Sequence, residues 1–476
     1  MELTLAHDDG LSSETSDSLL SAKIRASRVV DGRDSNSWNI VAAMDVLRTP
    51  ELIARLDAST IRFLRRLLLF FRPSSQQFIT LPLPARDSVS VYGRLGCLLF
   101  SVLLDTEESR LLSELLRELA EIIEHCDEPA PAGLPPSLLA ETLSGEYFLM
   151  IRTLMGSAAG MALLYETSIF TRLFSACVKA ERLDLIERIS ANIDLHQSGM
   201  PRIIFSAILT SSREELRRSA TKQLGRMLRE SPDLRSSDIL HMLVTQLYDS
   251  DLEVRSEAMI VLLELCDDPT SLDRVAALRP AAAHLGEEGL ELQLRLLAST
   301  SGLEWLRHSL LPAELQRWRK MQNAEYARYM DAAIACALGV HGPPSSRACH
   351  ARCSMVTAYR GCGSLLGNHR PAVSVQTHLY GVLCSSAAGV EMLRATNHID
   401  EMASILLEWN NCDWHSAEAC LNLKAIIWAI AHVCSSAGGL RWLEESHKHI
   451  VPTILNILSS APTLSVRGYA LREIPK

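Results

Sequence analysis

Aromatic side chains are scarce in this chain of 476 residues, where Phe, Trp and Tyr together make up 5%. β-Branched runs are sparse too, and both absences argue against a core built from sheets, which leans on those residue types. A basic balance is missing: the formal charge is −9, which disfavours nonspecific nucleic-acid binding, since that needs a positive field. The opening MELTLAHDDG has neither a basic nor an apolar leader region, so no secretory signal is visible. No apolar run reaches the ~18–20 residues that span a bilayer. The greasiest short stretch, Leu67 to Phe71, is bracketed by Arg65, Arg66 and Arg72. The chain carries no G-x-S-x-G, P-loop, G-x-G-x-x-G, H-E-x-x-H or kinase H-R-D pattern. Ser364 has glycines on both sides in GCGSLLG, but no strand precedes it. Catalysis and a resident cofactor are therefore not expected.

What is present is 47% apolar content, rich in Leu, Ala, Arg and Glu, the strong helix formers. Two stretches 50 residues apart are near-copies, CSSAAGVEML at Cys384–Leu393 and CSSAGGLRWL at Cys434–Leu443. Their kernel of Gly, apolar, any, apolar, Leu recurs at Gly302–Leu306 and more loosely at Gly160–Leu164. A small-residue turn that opens an apolar helix and returns along the chain marks stacked helical repeats. A second ladder agrees with the first. Leu209, Leu216, Arg217, Ala220 and Leu224 are matched 38 residues later by Leu247, Val254, Arg255, Ala258 and Leu262. The same hydrophobe-Arg-x-x-Ala core returns at Val466, Arg467 and Ala470. Hydrophobe and Ala four apart share a helix face, and Ala lets the neighbouring helix come close. A period of ~40 residues belongs to armadillo and HEAT arrays. The expected class is an all-α, armadillo/HEAT-like helical-repeat solenoid. Leu247, Val254, Ala258, Leu262, Gly302, Trp305, Gly389, Gly439 and Trp442 are read as repeat-packing positions.

Composition shifts divide the chain. Residues 1–36 read as a flexible lead with one short helix, and 37–126 as helical. Residues 127–137, DEPAPAGLPPS, read as a Pro-rich linker, and 138–338 as helical repeats. Residues 339–373 read as a Gly/Ser/Pro-rich loop and 374–476 as further repeats. The last repeat helix, begun at Val466, stops at Pro475-Lys476 without a polar cap, so a piece of a longer protein or a truncated gene model is expected. The twelve scattered cysteines fit unpaired thiols in a reducing, cytosolic compartment.

Seven segments resemble, in order, members of the Rictor family. They are RFLRRLLLFFRPSS (Arg62–Ser75), ATKQLGRMLR (Ala220–Arg229), LVTQLYD (Leu243–Asp249) and RPAAAHLGEEGLELQLRLL (Arg279–Leu297). THLYGVL (Thr377–Leu383), LKAIIWAI (Leu423–Ile430) and LSVRG (Leu464–Gly468) complete the set. The resemblance implies a large noncatalytic subunit of TOR complex 2, which directs phosphorylation of AGC-family kinases. The partners it implies are the TOR kinase and other subunits of that complex, with any membrane association only through the complex. A generic armadillo adaptor is a rival reading, although the groove-lining Asn and Trp common in such proteins are only scattered here. A regulator related to Ras exchange factors is a third, but no catalytic exchange module follows Asp249–Leu338.

Three groups of residues invite a chemical reading. Arg62, Arg65 and Arg66 lie along one helix flank at i, i+3, i+4, and guanidinium forks suit phosphate. The plainer alternative is a solvated flank pairing with Asp57 or Glu51. The resemblance likens this helix to a noncatalytic nucleotide- or phosphate-binding patch, with Leu69 where the family carries an aromatic. Cys349, His350, Cys353, Cys362 and His369 have metal-ligand composition, but C-x3-C-x8-C-x6-H matches no established zinc spacing. They read as a thiol-containing loop, so no metal is expected. Glu121, Glu124, Asp127, Asp267 and Asp268 read as caps and solubilising charge. His378 and His432 read as satisfied core histidines, and Trp305 and Trp442 as packing between repeats.

Overall fold

The computed structural model describes residues 19–32, 35–49, 57–83, 90–106, 109–129, 132–337, 377–463 and 465–468. Among them there is no strand, only an isolated antiparallel bridge between Pro82 and Thr142. Helices follow one another with short turns. After a helix at residues 19–27 come α1 (Ile40–Leu47), α2 (Ala58–Phe71), α3 (Val91–Leu104) and α4 (Ser109–Glu124). Next come α5 (Pro136–Glu141), α6 (Tyr147–Met155), α7 (Ala158–Glu166), α8 (Ile169–Lys179) and α9 (Leu183–Asn192). They are followed by α10 (Met200–Leu209), α11 (Glu214–Glu230), α12 (Ser237–Thr245) and α13 (Leu252–Leu265). Then come α14 (Pro269–Ala277), α15 (Gly286–Leu296), α16 (Thr300–Leu306), α17 (Leu311–Arg317) and α18 (Asn323–Ala337). The last six are α19 (Leu379–Cys384), α20 (Ala387–Arg394), α21 (His398–Leu407), α22 (Ala417–Cys434), α23 (Ala437–Ser446) and α24 (Ile450–Ser460). The chain forms two compact units, residues 1–258 and 259–476.

Polar caps explain many of the starts. Asp57 accepts from Thr60 N at 2.6 Å to open α2, and Ser90 accepts from Gly93 N at 2.9 Å to open α3. An N-cap oxygen satisfies a backbone N–H that the first helical turn leaves without a partner. In the first unit each helix packs on helices close to it in sequence: α3 on α6, α4 on α8, α6 on α9, α8 on α10, and α9 on α11. None of these helices is wide enough to enclose its own apolar stripe, so neighbours supply the burial. Residues 19–27, inside the stretch expected to be a flexible lead, form a packed helix. Ile24 and, just past it, Val29 are buried, and Ser27 O accepts from Asn39 N at 2.9 Å.

The Pro-rich segment 127–137 lies within the first unit, and its described residues are held in place by Arg182. Arg182 donates to the carbonyls of Cys126 (2.5 Å) and Leu134 (2.9 Å) while gripping Asp184 at 2.9 and 2.7 Å. Leu134 is buried beneath it.

The second unit shows the repeat directly. Helix α20 packs on α23, its counterpart 50 residues on, and α21 packs likewise on α24. Helix α22 is flanked by α18, α19, α21 and α23. Contrary to the expectation from apolar runs, α22 has the length and apolar composition to cross a membrane. It is packed as a core helix instead: residues Leu423 to Ile430 are all buried, and Lys424 pairs with Asp331 at 3.1 Å. The fold is all-α and armadillo/HEAT-like, as the two ladders imply.

Candidate functional site

The arginine flank sits on α2, whose opposite side buries Phe63, Leu64, Leu67, Leu68, Phe70 and Phe71. Burial of that stripe leaves Arg62 and Arg65 exposed and Arg66 half-buried, with Leu69 beside them 44% exposed. Arg65 and Arg66 are engaged by neighbouring groups. Asp57, weighed as a partner for the flank, has its carboxylate on the helix N-cap, and Glu51 lies outside the described residues. Next to α2 lies an open hollow of about 490 Å³ lined by Ala26, Arg28, Ser37, Trp38, Asn39, Ile40 and Val41. Trp38, one of its lining residues, packs its ring on Phe70, on the buried side of α2, at 5.2 Å. Arg28 holds a left-handed backbone (φ 58°), uncommon for a residue with a Cβ.

The repeat positions form a corner found four times among the described residues. Ser157, Ser299, Ser386 and Ser436 cap α7, α16, α20 and α23, each accepting from the N–H of the kernel glycine. Those bonds, to Gly160, Gly302, Gly389 and Gly439, measure 3.1, 2.9, 3.1 and 3.0 Å. A Cβ on any of these glycines would meet a carbonyl oxygen of the preceding helix at 2.0–2.1 Å, from Leu154, Leu296, Leu383 or Val433. The motif is therefore apolar-x-x-Ser-x-x-Gly, and only its glycine end stood out in the sequence. Trp442 is buried, with the Arg394 guanidinium 5.5 Å from its ring centre, linking α20 to α23. Trp305, at the matching position, is half-exposed.

The arginine ladder has its own geometry. Leu247, Val254, Ala258 and Leu262 are fully buried. Arg217 donates to Ser211 O at 2.9 Å and Arg255 to Asp249 O at 2.7 Å, each reaching back six residues to close the turn before its helix. Arg467 repeats the bond on Ala461 O. Arg217 also grips the Asp249 carboxylate at 2.7 and 2.9 Å, and Arg218 grips Asp251 at 2.9 and 2.6 Å. Burial alone would raise the Asp249 carboxyl, but Arg217 together with the backbone N–H of Asp251, which donates to Oδ1 at 2.8 Å, outweighs it and holds the group below the usual carboxylate range. The acidic residues serve in caps and pairs: Asp268 caps α14 through Ser271 N at 2.9 Å, and Asp267 pairs with Arg295 at 3.0 Å. Asp127 pairs with Arg182 at 3.5 Å, and Glu124 with Arg172.

Sequence reasoning missed an aromatic cluster in the second unit. Trp318, Tyr326, His378, Tyr380, Trp428 and His432 meet at a π-helical turn, Trp318–Gln322. His378 is buried and stacks on His432 with centroids 4.3 Å apart. Neither ring nitrogen of His378 has a hydrogen-bond partner among the described residues, which corrects the expectation of a satisfied histidine. Burial first, and the neighbouring His432 second, hold His378 well below its ordinary value. Burial pushes His432 down to about 4, and its Nε2 lies 3.0 Å from Tyr326 Oη. The thiol-histidine cluster Cys349, His350, Cys353, Cys362 and His369, together with Ser364, lies outside the described residues.

These corners and ladders define a helical-repeat protein whose buried positions mainly hold one helix pair to the next. Three stretches match sequence profiles of one family: residues 130–228 the middle domain of the rapamycin-insensitive companion of mTOR, 238–339 its RasGEF_N domain, and 421–473 its domain 5. The rapamycin-insensitive companion of mTOR from Mus musculus is 29% identical over 472 residues, covering 97% of this chain and 27% of the relative. The target of rapamycin complex 2 subunit ste20 from Schizosaccharomyces pombe is 27% identical, covering 95% of the chain and 34% of the relative. Protein pianissimo A from Dictyostelium discoideum is 26% identical, at 96% and 40%. The chain belongs to the Rictor family. It spans between 27% and 40% of the length of these relatives.

Proposed function

We propose that the chain is a noncatalytic scaffold portion of a TOR complex 2 subunit, working in the cytoplasm and reaching membranes only through the complex. The observation that carries this reading is the near end-to-end alignment with relatives named as target of rapamycin complex 2 subunits. The repeat architecture supports it, because stacked helices offer extended surfaces for protein partners. In this reading the TOR kinase, a substrate-recruiting subunit and an AGC-family kinase substrate are held in fixed relation. The scaffold raises their effective concentration and makes or breaks no bond itself. Deleting the gene should abolish TOR complex 2-dependent phosphorylation of AGC-family kinases, and re-expression should restore it. Unchanged phosphorylation after deletion would reject the proposal.

We also propose that Arg62, Arg65 and Arg66 serve as an anion-binding patch for a phosphate or nucleotide. The exposure of Arg62 and Arg65 supports it, since guanidinium forks suit phosphate. Calorimetric titration with ATP and with inorganic phosphate should give binding that Arg62→Glu, Arg65→Glu and Arg66→Glu together remove. Binding unchanged by that triple substitution would dismiss the patch.

A further inference from the structure

Helix α24 repeats the buried face of α21 and changes the face beside it. Ile399, Ala403 and Leu406 of α21 are buried, and 51 residues further on Ile450, Ile454 and Ile457 of α24 are buried in the same way. In this register Asp400, Ser404 and Leu407 of α21 become Val451, Leu455 and Leu458 of α24. At about 100° per residue these positions form one stripe, roughly a quarter-turn round from the buried one. Side-chain bonds show which way that stripe looks. Asp400 Oδ1 accepts from His447 Nε2 at 2.9 Å, just ahead of α24, so on α21 the stripe is turned towards the following repeat. Glu401, further round, pairs with Arg319 of the preceding π-helical turn. On α24 the same stripe is therefore turned onward, away from α21. It is apolar and open: Val451 is 39% and Leu455 45% exposed, and Leu458 is half-buried. Helix α24, IVPTILNILSS, holds no charged residue. A helix side that faces water usually carries charge, as α21 does at Asp400 and Glu401.

We propose that the stripe of Val451, Leu455 and Leu458 docks on the same stripe of a second copy of the chain, the two α24 helices running antiparallel about a twofold axis. Continuity with the α21–α24 interface argues for a helix as the occupant, since this unit already buries aliphatic side chains between those two helices. Charge argues that the helix is another α24. Neither copy of α24 has a charged residue to desolvate, so like meets like without repulsion. The antiparallel arrangement sets Lys448, exposed just ahead of each α24, against the carbonyl end of the other helix, where a cation is favoured. An isologous contact of this kind closes at two copies instead of running on into a fibre. A lipid surface is the poorer match, because helices that lie on membranes back their apolar side with Lys and Arg, and α24 supplies none. A single helix pair is small beside the ~1,000 Å² that lasting interfaces clear, so the dimer is reversible and depends on concentration.

Sedimentation equilibrium of the full chain across the micromolar range tests this, and a reversible monomer–dimer equilibrium is expected. Leu455→Asp and Val451→Asp should each weaken the association by roughly tenfold or more, since the dimer would then bury an unpaired carboxylate. Both positions are exposed in the single chain, so these variants keep the fold, which far-UV circular dichroism verifies. Lys448→Glu should also weaken the dimer, because it sets an anion against the carbonyl end. Asn456→Asp, exposed on another side of α24, should leave it unchanged. Under mild oxidation Leu455→Cys should give a disulfide between the substituted positions of two chains, mapped by mass spectrometry. A monomer at every concentration, whether or not it floats with phosphatidylserine vesicles, would overturn the proposal. So would a dimer that Leu455→Asp or Lys448→Glu leaves intact, or that Asn456→Asp breaks equally.

Discussion

Gly439 and Gly438 stand next to each other in α23 and face opposite constraints. A Cβ on Gly439 would sit 2.1 Å from Val433 O, whereas one on Gly438 would find only Val390 Cγ2, at an ordinary 3.5 Å. Gly439→Ala should therefore cost ~1–3 kcal/mol through forced overpacking at the corner. Gly438→Ala should be neutral or stabilising by up to about 1 kcal/mol, since Ala is the better helix former. Urea unfolding of the two single variants, side by side, checks the contrast. The glycine half of this corner was readable because four copies share it. Its serine half, three residues earlier, is equally present in the sequence at Ser157, Ser299, Ser386 and Ser436. It passes unnoticed because serine is common and its capping role appears only once the helix start is known. The exposed flank of Arg62, Arg65 and Arg66 follows from spacing alone. The hollow lined by Trp38 and Arg28 does not, because those residues come from earlier turns whose position depends on tertiary packing.

Between elements, the Arg217–Asp249 pair joins the start of α11 to the turn ahead of α13. Both side chains are largely withdrawn from solvent, 13% and 7% exposed, so removing the carboxylate leaves the Arg217 guanidinium buried without its counter-ion. Asp249→Ala should destabilise by about 3–5 kcal/mol. Its hydrogen-exchange signature should be lost protection in the first turns of α11 and α13, while α6 and α7 stay protected. A second element-scale prediction concerns the histidine stack between α19 and α22. The folded values of His378 and His432 are depressed, so on acidification the unfolded chain takes up protons first. The stability these neutral rings contribute is complete above about pH 6.5 and is lost as pH falls towards the folded value of about 4. Unfolding midpoints measured from pH 7 to pH 4 should decline over that window, and replacing both histidines with Phe should flatten the decline. The sequence hid this stack because His378, at the N-cap of α19, and His432, within α22, lie far apart in the chain. Only the α19–α22 packing brings their rings together.

At the scale of the whole molecule, the repeat class was legible because it needs only local signals returned at intervals. The 50-residue copies became α20 on α23, and the 38-residue ladder became the reach-back bonds of Arg217 and Arg255. The apolar length of α22, by contrast, reflects burial on several sides, which a run-length reading of the sequence did not anticipate. In the proposed function, mutually supported helix pairs present a surface that holds the TOR kinase. The most direct measurement mixes purified TOR kinase with the full chain and with its Leu247→Asp variant, and quantifies co-precipitation. The kinase should be retained by the unaltered chain and lost from the variant, whose repeat cannot bury the new carboxylate. Failure of the unaltered chain to retain the kinase, or equal retention by both, would contradict the account.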